Sequence, residues 1–284
     1  MAAPWQEWID RFRPRVYERK QPLVLINGLA EQSESWYRNI RFWRRHFELL
    51  MPNLLLYDGE VIHNRVKQDL PISVPFLVEQ LHTYLTQFVQ TPPYHICASS
   101  LGGKIAVEFA VRYPELVSRM VLLCPSGMGD VEQLPVVEGV RHNDMKALIN
   151  SVFYNPKLAD QDMCRFYLRK FPNRRWRMGL LRTIRGTMDH VVRDLLPQVR
   201  QPTLFVAGEH DQIVNPKVAE VAAASLPQGQ FLCIPKCGHA PQLEKAWLIN
   251  RLVLHFLTHP QPTAHPRLLQ LLINNRRTTI NESS

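Results

Sequence analysis

One short stretch of the chain, residues 94–106 (YHICASSLGGKIA), restricts the possible folds more than any other. Its first half is an apolar run of the length of a buried strand, and its second half has the apolar spacing of a helix. Ser100 stands between the two halves, with the small residues Ala98 and Gly102 two positions away on either side. A serine at a strained turn needs such neighbours, because larger side chains would collide where the strand passes into the helix. The stretch therefore predicts a strand, a sharp turn and a helix, with Ser100 at the apex.

Ser99 is the competing residue for that apex. If Ser99 stood there, Leu101 would fall at a position that requires a small side chain. Ser100 is therefore the better candidate. Taken alone, the stretch is also compatible with a strand that ends in an ordinary turn rich in serine and glycine.

The composition is that of a globular protein with a large core, because the chain has 284 residues and 45% of them are hydrophobic. No apolar run approaches the length that crosses a membrane. Five cysteines, an odd number, argue against a disulfide framework and for a cytoplasmic location. Cys233 and Cys237 lie close to His239 in the sequence, but no second ligand pair completes a tetrahedral set. No metal site is predicted.

Short apolar runs recur along the chain, and helical patterns separate them. The runs expected to form buried strands are Leu23–Asn27, Leu54–Tyr57, the run before Ser100, Met120–Cys124, Pro202–Ala207 and Phe231–Ile234. Helices are expected over 4–20, Trp36–Phe47, Ser73–Val89 and Pro216–Leu226. This alternation predicts a parallel sheet covered by helices on both faces. Asp58, after the second run, is interpreted as a turn cap rather than a catalytic carboxylate.

The alternation stops between residues 127 and 198, where helical patterns alone occur and aromatic residues are frequent. This predicts a helical cap over 127–198, inserted between two parts of a core over 1–126 and 199–259, with a tail over 260–284. The segment 141–200 is strongly basic, with 13 Lys and Arg residues against five Asp residues, and it accounts for most of the formal net charge of +9. Two interpretations of that charge stay open. It steers an anionic substrate, or an acidic carrier that bears one, toward the site, or it forms a solvated face. No binding motif accompanies it, so no nucleic-acid partner is expected.

Two later loops complete a pattern with the serine turn: Asp211 follows the run 202–207, and His239 follows the run 231–234. Together they resemble the motifs of alpha/beta hydrolases, over about Pro22–Thr258. The resemblance implies the alpha/beta hydrolase fold, a mostly parallel doubly wound sheet with a helical cap inserted after the sixth standard strand. Within that superfamily the chain looks like the branch that holds carboxylesterases and meta-cleavage product hydrolases.

The resemblance implies a catalytic triad of Ser100, Asp211 and His239, which occur in the order that this fold imposes. A serine hydroxyl is a weak nucleophile, so an imidazole must take its proton as it attacks. The aspartate then orients the imidazole and stabilises its charged form. Glu209 is the nearest rival for the acid.

The loop Asn27–Ala30 resembles the His-Gly loop of the family, with Asn27 in place of the histidine. By this resemblance the backbone N–H groups of Leu29 and Leu101 hold the oxyanion of the tetrahedral intermediate. Two other departures from the family pattern are Ala98 in place of a glycine and the absence of the hairpin strands that usually come before the first parallel strand.

The predicted function is a serine hydrolase that cleaves a carboxylic ester or thioester through an acyl-enzyme, with no metal or organic cofactor. The substrate is a small acyl compound, which the basic cap would allow to be anionic or carrier-bound. Its predicted contacts are Trp36, Ser99, Phe153 and Trp176. One alternative is a C–C bond hydrolase of a diketo acid on the same triad. Another is a ligand-binding protein that has kept the fold without turnover.

Overall fold

The structure is a computed structural model, and it describes residues 20–31, 33–88, 92–129, 150–159 and 161–259. The helix expected over 4–20 lies outside these ranges except for its last residue. The tail expected over 260–284 and much of the first part of the cap, 130–149, also lie outside them.

Six parallel strands form one sheet in the order β2-β1-β3-β4-β5-β6. They are β1 (Pro22–Ile26), β2 (Glu48–Leu50), β3 (Tyr94–Ser99), β4 (Val117–Leu123), β5 (Thr203–Gly208) and β6 (Gly229–Ile234). The central strands are buried along almost their whole length, as expected for a sheet covered on both faces. In the register, Ile26 lies opposite Ala98, and Ser99 lies opposite Leu123. The carboxyl ends of β1, β3 and β4 therefore meet at one edge.

Helices cover both faces of the sheet, and alternate strand residues face each layer. The α-helices are α1 (Tyr37–Trp43), α2 (Glu60–Lys67), α3 (Val74–Phe88), α4 (Leu101–Arg112), α5 (Gln161–Lys170), α6 (Arg174–Thr187), α7 (Pro216–Ala223), α8 (Pro241–Glu244) and α9 (Ala246–Thr258). Val24 and Ile26 pack into the core that contains α3, α4 and α7. Leu23 and Leu25 pack on the opposite face with α1 and α9. The predicted doubly wound alpha/beta fold is thus confirmed.

One predicted strand is wrong. Leu54–Tyr57 forms turns, and the strand at this edge of the sheet is β2, which has only three residues. Leu55 and Tyr57 are buried and explain the apolar run, but they pack from a loop into the core beneath, while Leu56 is exposed. The helix expected over Trp36–Phe47 is likewise shorter. A 3-10 helix over Ser33–Trp36 leads into α1, and α1 ends at Trp43, where a turn begins.

Between β4 and β5 the described residues contain helices and turns and no strand. These helices contact the core in part through ion pairs. Lys170 at the end of α5 pairs with Asp58 at 2.8 Å, and Arg175 of α6 pairs with Glu60 at 2.7 Å. Arg182 similarly pairs with Asp69. Part of the basic charge of this segment is therefore already balanced by carboxylates, and Asp58, expected as a turn cap, is one of the partners.

A buried lysine fastens the same segment to helix α4. The Lys104 amine donates to the backbone oxygens of Thr187, at 2.9 Å, and Met188, at 3.4 Å, where α6 ends. The side chain is almost completely buried. An ammonium at the C-terminal carbonyls of a helix is favourable, because those oxygens lack partners within the helix and carry the negative end of its dipole.

Candidate active site

Ser100 occupies the turn between β3 and α4 in a backbone conformation that non-glycine residues rarely adopt, with φ of 50° and ψ of −119°. The turn is held by hydrogen bonds of its own backbone. Its N–H donates to the oxygen of Leu123 at 3.0 Å, and its carbonyl accepts from Gly103 at 2.8 Å and Ser126 at 3.1 Å. Such strain persists only where the surroundings enforce it. The structure thus places Ser100 at the predicted apex.

Gly102 explains why the turn needs a small residue two positions after the serine. A Cβ at Gly102 would lie 2.5 Å from the backbone oxygen of Ile26 and 2.8 Å from that of Asn27. These oxygens belong to the end of β1 and the loop after it. The first turn of α4 therefore presses directly on the Asn27–Ala30 loop, and the two segments meet at one site.

Ser99, the rival nucleophile, points away from the turn. It is buried as the last residue of β3, and its Oγ accepts a hydrogen bond from Gln242 Nε2 of α8 at 3.2 Å. The prediction that Ser99 contacts the substrate is corrected, because this side chain has almost no accessible surface. Ser100 is partly accessible.

Asp211 and His239 lie side by side in the loops after β5 and β6. Asp211 Oδ2 is 2.8 Å from His239 Nδ1, and Oδ1 accepts from the backbone N–H groups of Ile213, at 2.8 Å, and Val214, at 3.0 Å. Burial alone would raise the pKa of Asp211, but the His239 charge and these hydrogen bonds offset it and hold the pKa below its ordinary value. Asp211 is therefore kept as a carboxylate beside the imidazole.

The rival acid, Glu209, faces elsewhere. Its side chain is substantially exposed, and its Oε2 accepts from the backbone N–H of Lys236 at 3.2 Å. The only imidazole recorded beside it in the described chain is that of His210, at 3.6 Å. The geometry thus favours Asp211 as the partner of His239.

The histidine loop is fixed by contacts with Val152, which precedes α5, and with Glu244 of α8. The His239 N–H donates to the oxygen of Val152 at 2.8 Å, and the Gly238 N–H donates to Glu244 Oε1 at 2.6 Å. Phe153, a predicted substrate contact, packs on Ala240 of the same loop and on Leu243 of α8 and is almost fully buried. Phe153 therefore packs beside the loop that carries His239, and it offers almost no surface to a ligand.

Side chains hold the loop Asn27–Ala30 on the other side of the serine. The Ala30 N–H donates to the Tyr57 hydroxyl oxygen at 2.9 Å, and Trp36 Nε1 donates to Asn27 Oδ1 at 3.2 Å. Ala30 has a φ of 63°, in the left-handed region. Asn27 stands at the position of the family histidine. It fixes its loop by accepting a hydrogen bond from the indole N–H of Trp36, in the 3-10 helix that follows.

The two amides predicted to bind the oxyanion are those of Leu29 and Leu101. Neither N–H has an acceptor among the residues that the structure describes. Leu101 is the first residue of α4, where a helix leaves its N–H groups without an internal partner. The close contact of Gly102 with Asn27 places both amides at the same end of β1 and β3. The role of the two amides as oxyanion donors stays a prediction.

Two tryptophans predicted to contact the substrate are instead core residues. Trp36 is completely buried between the sheet and α1, with its ring centroid 5.9 Å from that of Trp43. Trp176 of α6 is completely buried against Tyr57, with ring centroids 5.6 Å apart. These two predictions are corrected, since neither side chain has accessible surface. Both act on the site indirectly, through Asn27 and Tyr57.

Sequence reasoning missed Glu31, which follows the Asn27–Ala30 loop. Its Oε2 accepts from the Gly28 N–H at 3.2 Å. A Cβ at Gly28 would lie 3.0 Å from Ser100 Cβ and 3.3 Å from this carboxyl group, so the serine and the carboxyl flank the same point. Burial raises the pKa of Glu31, although the hydrogen bond from Gly28 and the charge of His239 act in the opposite direction. No motif in the sequence marks this residue.

Cys124 is a second residue that sequence reasoning missed. It follows β4 with a φ of 44°, and its Sγ lies within 4.8 Å of the ligand atoms of Asp211 and His239. In the part of the chain that the structure describes, these three side chains are the one group with the spacing of metal ligands, and Cys233 and Cys237 do not belong to it. Asp211 and His239 are already joined by their own hydrogen bond. Burial raises the pKa of the Cys124 thiol, which keeps it protonated.

A strained serine at a strand-to-helix turn, a buried carboxylate–imidazole pair and a doubly wound parallel sheet define a protein of the alpha/beta hydrolase class. The family model described as the alpha/beta hydrolase family matches residues 23–249. The chain belongs to the alpha/beta hydrolase family.

The relatives that this chain matches include two named lipases. A monoacylglycerol lipase of Mus musculus is 20% identical over 269 residues, which cover 88% of this chain and 79% of the relative. Lipase 1 of Psychrobacter immobilis is 25% identical over 239 residues, covering 79% and 73%. A solved meta-cleavage product hydrolase from Pseudomonas fluorescens IP01 has a TM-score of 0.69 at 20% identity, covering 84% of this chain and 91% of the other. Family and relatives together support a hydrolase.

Within the described ranges, no helix combines the length and the apolar character that crossing a bilayer requires. All five cysteines are free thiols. The cytoplasmic location stays a prediction.

Proposed function

We propose that the protein hydrolyses a carboxylic ester or thioester of a small molecule through an acyl-enzyme on Ser100. The observation that carries the proposal is the 2.8 Å contact between Asp211 and His239 at the edge of the sheet where Ser100 stands in its strained turn. The lipase names of two relatives support ester cleavage.

In the proposed reaction His239 is the general base. Its Nδ1 is held by the carboxylate of Asp211, so Nε2 is the nitrogen that takes the Ser100 proton as Oγ attacks the carbonyl carbon. The imidazolium then returns this proton to the leaving alcohol or thiol. Water repeats the sequence on the acyl-enzyme, with His239 again as the base.

The backbone N–H groups of Leu29 and Leu101 are proposed to bind the oxyanion in both halves of the reaction. Each is a fixed dipole, so neither has to reorganise when the charge develops. The loss of one such donor typically costs on the order of 100-fold in turnover.

A second candidate is hydrolysis of a C–C bond in a diketo acid on the same residues. The likeness to a solved meta-cleavage product hydrolase is the observation in its favour. Product analysis separates the two, because an ester yields an acid and an alcohol, whereas a diketo acid yields two carbon fragments of which one is a new acid.

The first test is labelling by a fluorophosphonate probe, together with hydrolysis of p-nitrophenyl esters of increasing acyl length. Ser100→Ala is expected to lose both labelling and turnover, while Ser99→Ala, its matched control, keeps labelling. Activity that survives in Ser100→Ala would show that another residue is the nucleophile. A wild type that is neither labelled nor active would favour the ligand-binding alternative.

The acid of the triad is tested by Asp211→Asn against Glu209→Gln. We expect kcat of Asp211→Asn to fall by about 10³-fold to 10⁴-fold, because the amide no longer holds the imidazole in the required tautomer. Glu209→Gln should stay within about twofold of the wild type, since exposed substitutions away from a site have small effects. The reverse ranking would transfer the role of the acid to Glu209.

A further inference from the structure

A carboxyl group that the proposed triad does not use lies beside the nucleophile. The side chain of Glu31 turns back over its own loop, with Oε2 on the Gly28 N–H at 3.2 Å and the Glu31 N–H on the Gly28 oxygen at 3.4 Å. The space on the side-chain face of Gly28 is bounded by this carboxyl and by Ser100 Cβ. Gly28 in turn is the neighbour of Leu29, one of the two proposed oxyanion donors. The Glu31 carboxyl and the nucleophile thus flank the same residue of the loop.

Above its raised pKa the Glu31 carboxyl is an anion, and no basic side chain forms an ion pair with it within the described ranges. Among the described residues, none of the recorded ion pairs includes Glu31, in contrast to the carboxylates at positions 58, 60 and 69, each of which has a cationic partner from the cap. In the described part of the chain, two titratable groups interact with Glu31: His239, close enough for their charges to interact, and Tyr57, whose pKa burial raises. Tyr57 is therefore neutral in the physiological range, and of these two groups His239 is the one that becomes cationic during the proposed reaction.

We propose that Glu31 is a specificity-determining residue whose negative charge selects against substrates that carry a negative charge near the scissile bond and favours neutral or cationic ones. This inference rests on the proposed function, and it names the substrate class of the same site. It also opposes the idea that the basic cap delivers an anion to Ser100. A diketo acid would have to place its carboxylate away from Glu31.

The expected size of the effect follows from Coulomb's law. Two unit charges about 6 Å apart change a binding constant or a rate by roughly 3-fold in bulk water and roughly 100-fold at the effective dielectric constant of a protein surface. A partly buried carboxyl beside a substrate lies between these limits. We therefore expect a discrimination on the order of tenfold for each charge on the substrate.

The test uses three p-nitrophenyl esters whose acyl chains are matched in length and differ in terminal charge. They are the butyrate, which is neutral, the mono-ester of succinic acid, which is anionic, and the 4-(trimethylammonio)butyrate, which is cationic. A second series carries a carboxylate or a quaternary ammonium on the nitrophenyl ring, and thus on the leaving group. The measurement is the ratio of kcat/KM between charged and neutral esters in each series.

Three variants isolate the charge. Glu31→Gln removes it and keeps an oxygen that accepts from the Gly28 N–H, whereas Glu31→Asp keeps it on a shorter side chain. Glu220→Gln removes an exposed carboxylate of α7 and serves as the matched control. Ratios are compared within each variant, so a change in absolute rate that follows from a disturbed loop does not enter.

The proposal expects the anionic-to-neutral ratio in at least one series to rise about tenfold in Glu31→Gln and the cationic-to-neutral ratio to fall. Glu31→Asp should keep the selectivity of the wild type in direction, and Glu220→Gln in full. Ratios in Glu31→Gln that equal those of the wild type in both series would overturn the proposal while esterase activity stands. If the wild type hydrolyses none of the esters, the proposed function fails instead.

Discussion

The two backbone amides proposed to hold the oxyanion are positioned by opposite means. Leu101 begins a helix, and its place is set by close packing of backbone on backbone, with Gly102 against the oxygen of Ile26. Leu29 lies in a loop that side chains hold, through Tyr57 on the Ala30 N–H and Trp36 on Asn27. One half of the site depends on the absence of a side chain and the other half on the presence of several.

This difference predicts how each half responds to change. A packed backbone without a side chain has no small adjustment available, so any added atom must move a strand end or a helix. A loop held by several separate hydrogen bonds loses them one at a time, at about 1 kcal/mol each. We therefore expect one substitution on the helix side to remove most of the activity, whereas single substitutions on the loop side should each lower it by a small factor.

Gly102→Ala should have the largest effect. Its Cβ would lie 2.5 Å from the oxygen of Ile26, a backbone atom that cannot rotate away. We expect a loss of about 100-fold or more in kcat, because displacements of about 1 Å at a reacting centre cost that much. Val111→Ala, at the far end of α4, is the control and should keep kcat within about twofold. Ester hydrolysis and thermal unfolding are measured for both variants. A Gly102→Ala variant with the kcat of the wild type would contradict the expectation that the helix side tolerates no added atom.

Tyr57→Phe should lower kcat/KM by about tenfold and the free energy of unfolding by about 1 kcal/mol, because the Ala30 N–H loses its acceptor. Tyr113→Phe removes a hydroxyl that bonds Glu79 at the surface and is the matched control. Equal kcat/KM values for the two variants would show that the loop does not depend on Tyr57.

Trp36→Phe should reduce kcat by about threefold, since Asn27 loses one hydrogen bond while the rest of the loop stays held. Trp43→Phe is a close control, because Trp43 is equally buried in the same core and its Nε1 donates to the backbone of Asn250 at 3.2 Å. Both variants are expected to lose a similar 1–3 kcal/mol or so of stability from the smaller ring. A slower rate confined to Trp36→Phe would separate its role in the loop from its role in the core.

The smallest effect concerns stability against pH. The pKa of Glu31 is raised on folding, so the folded chain binds its proton more tightly than the unfolded chain does. The free energy of unfolding therefore falls as the pH rises from the ordinary value near 4.5 through the raised pKa. Urea unfolding should find Glu31→Gln more stable than the wild type at pH 8, with the difference gone at pH 4.

Asp211 should show the opposite sign. Its pKa is lowered on folding, so its contribution to stability is present above the ordinary value near 3.8 and is lost as the pH falls through the lowered pKa. Asp211→Asn should thus be less stable than the wild type at pH 8.

A Glu31→Gln variant that is also destabilised at pH 8 would contradict the prediction for Glu31. It would mean that the carboxylate stabilises the loop by more than its burial costs.

The positions of the serine turn, of Asp211 and of His239 could be predicted from the sequence because each depends on local patterns after a buried strand. Strand β2 could not, since an edge strand of three residues with mixed burial has no apolar run, and the neighbouring run Leu54–Tyr57 is buried from a loop. Composition alone suggested that Trp36 and Trp176 line a pocket, but large aromatic rings also fill cores, and burial depends on the fold. Glu31 carries no pattern, because its importance comes from a contact with Gly28 that only the folded loop creates.

The lysine that fastens the end of α6 has a mechanical consequence. Lys104 stands one helical turn after the nucleophile, and its buried ammonium is bonded to the last carbonyls of a helix that lies outside the sheet. Separating the two would strand a charge away from water, which is far more costly than breaking a surface contact. The end of α6 is therefore fastened to the helix that begins at the nucleophile, and a displacement of one would be transmitted to the other.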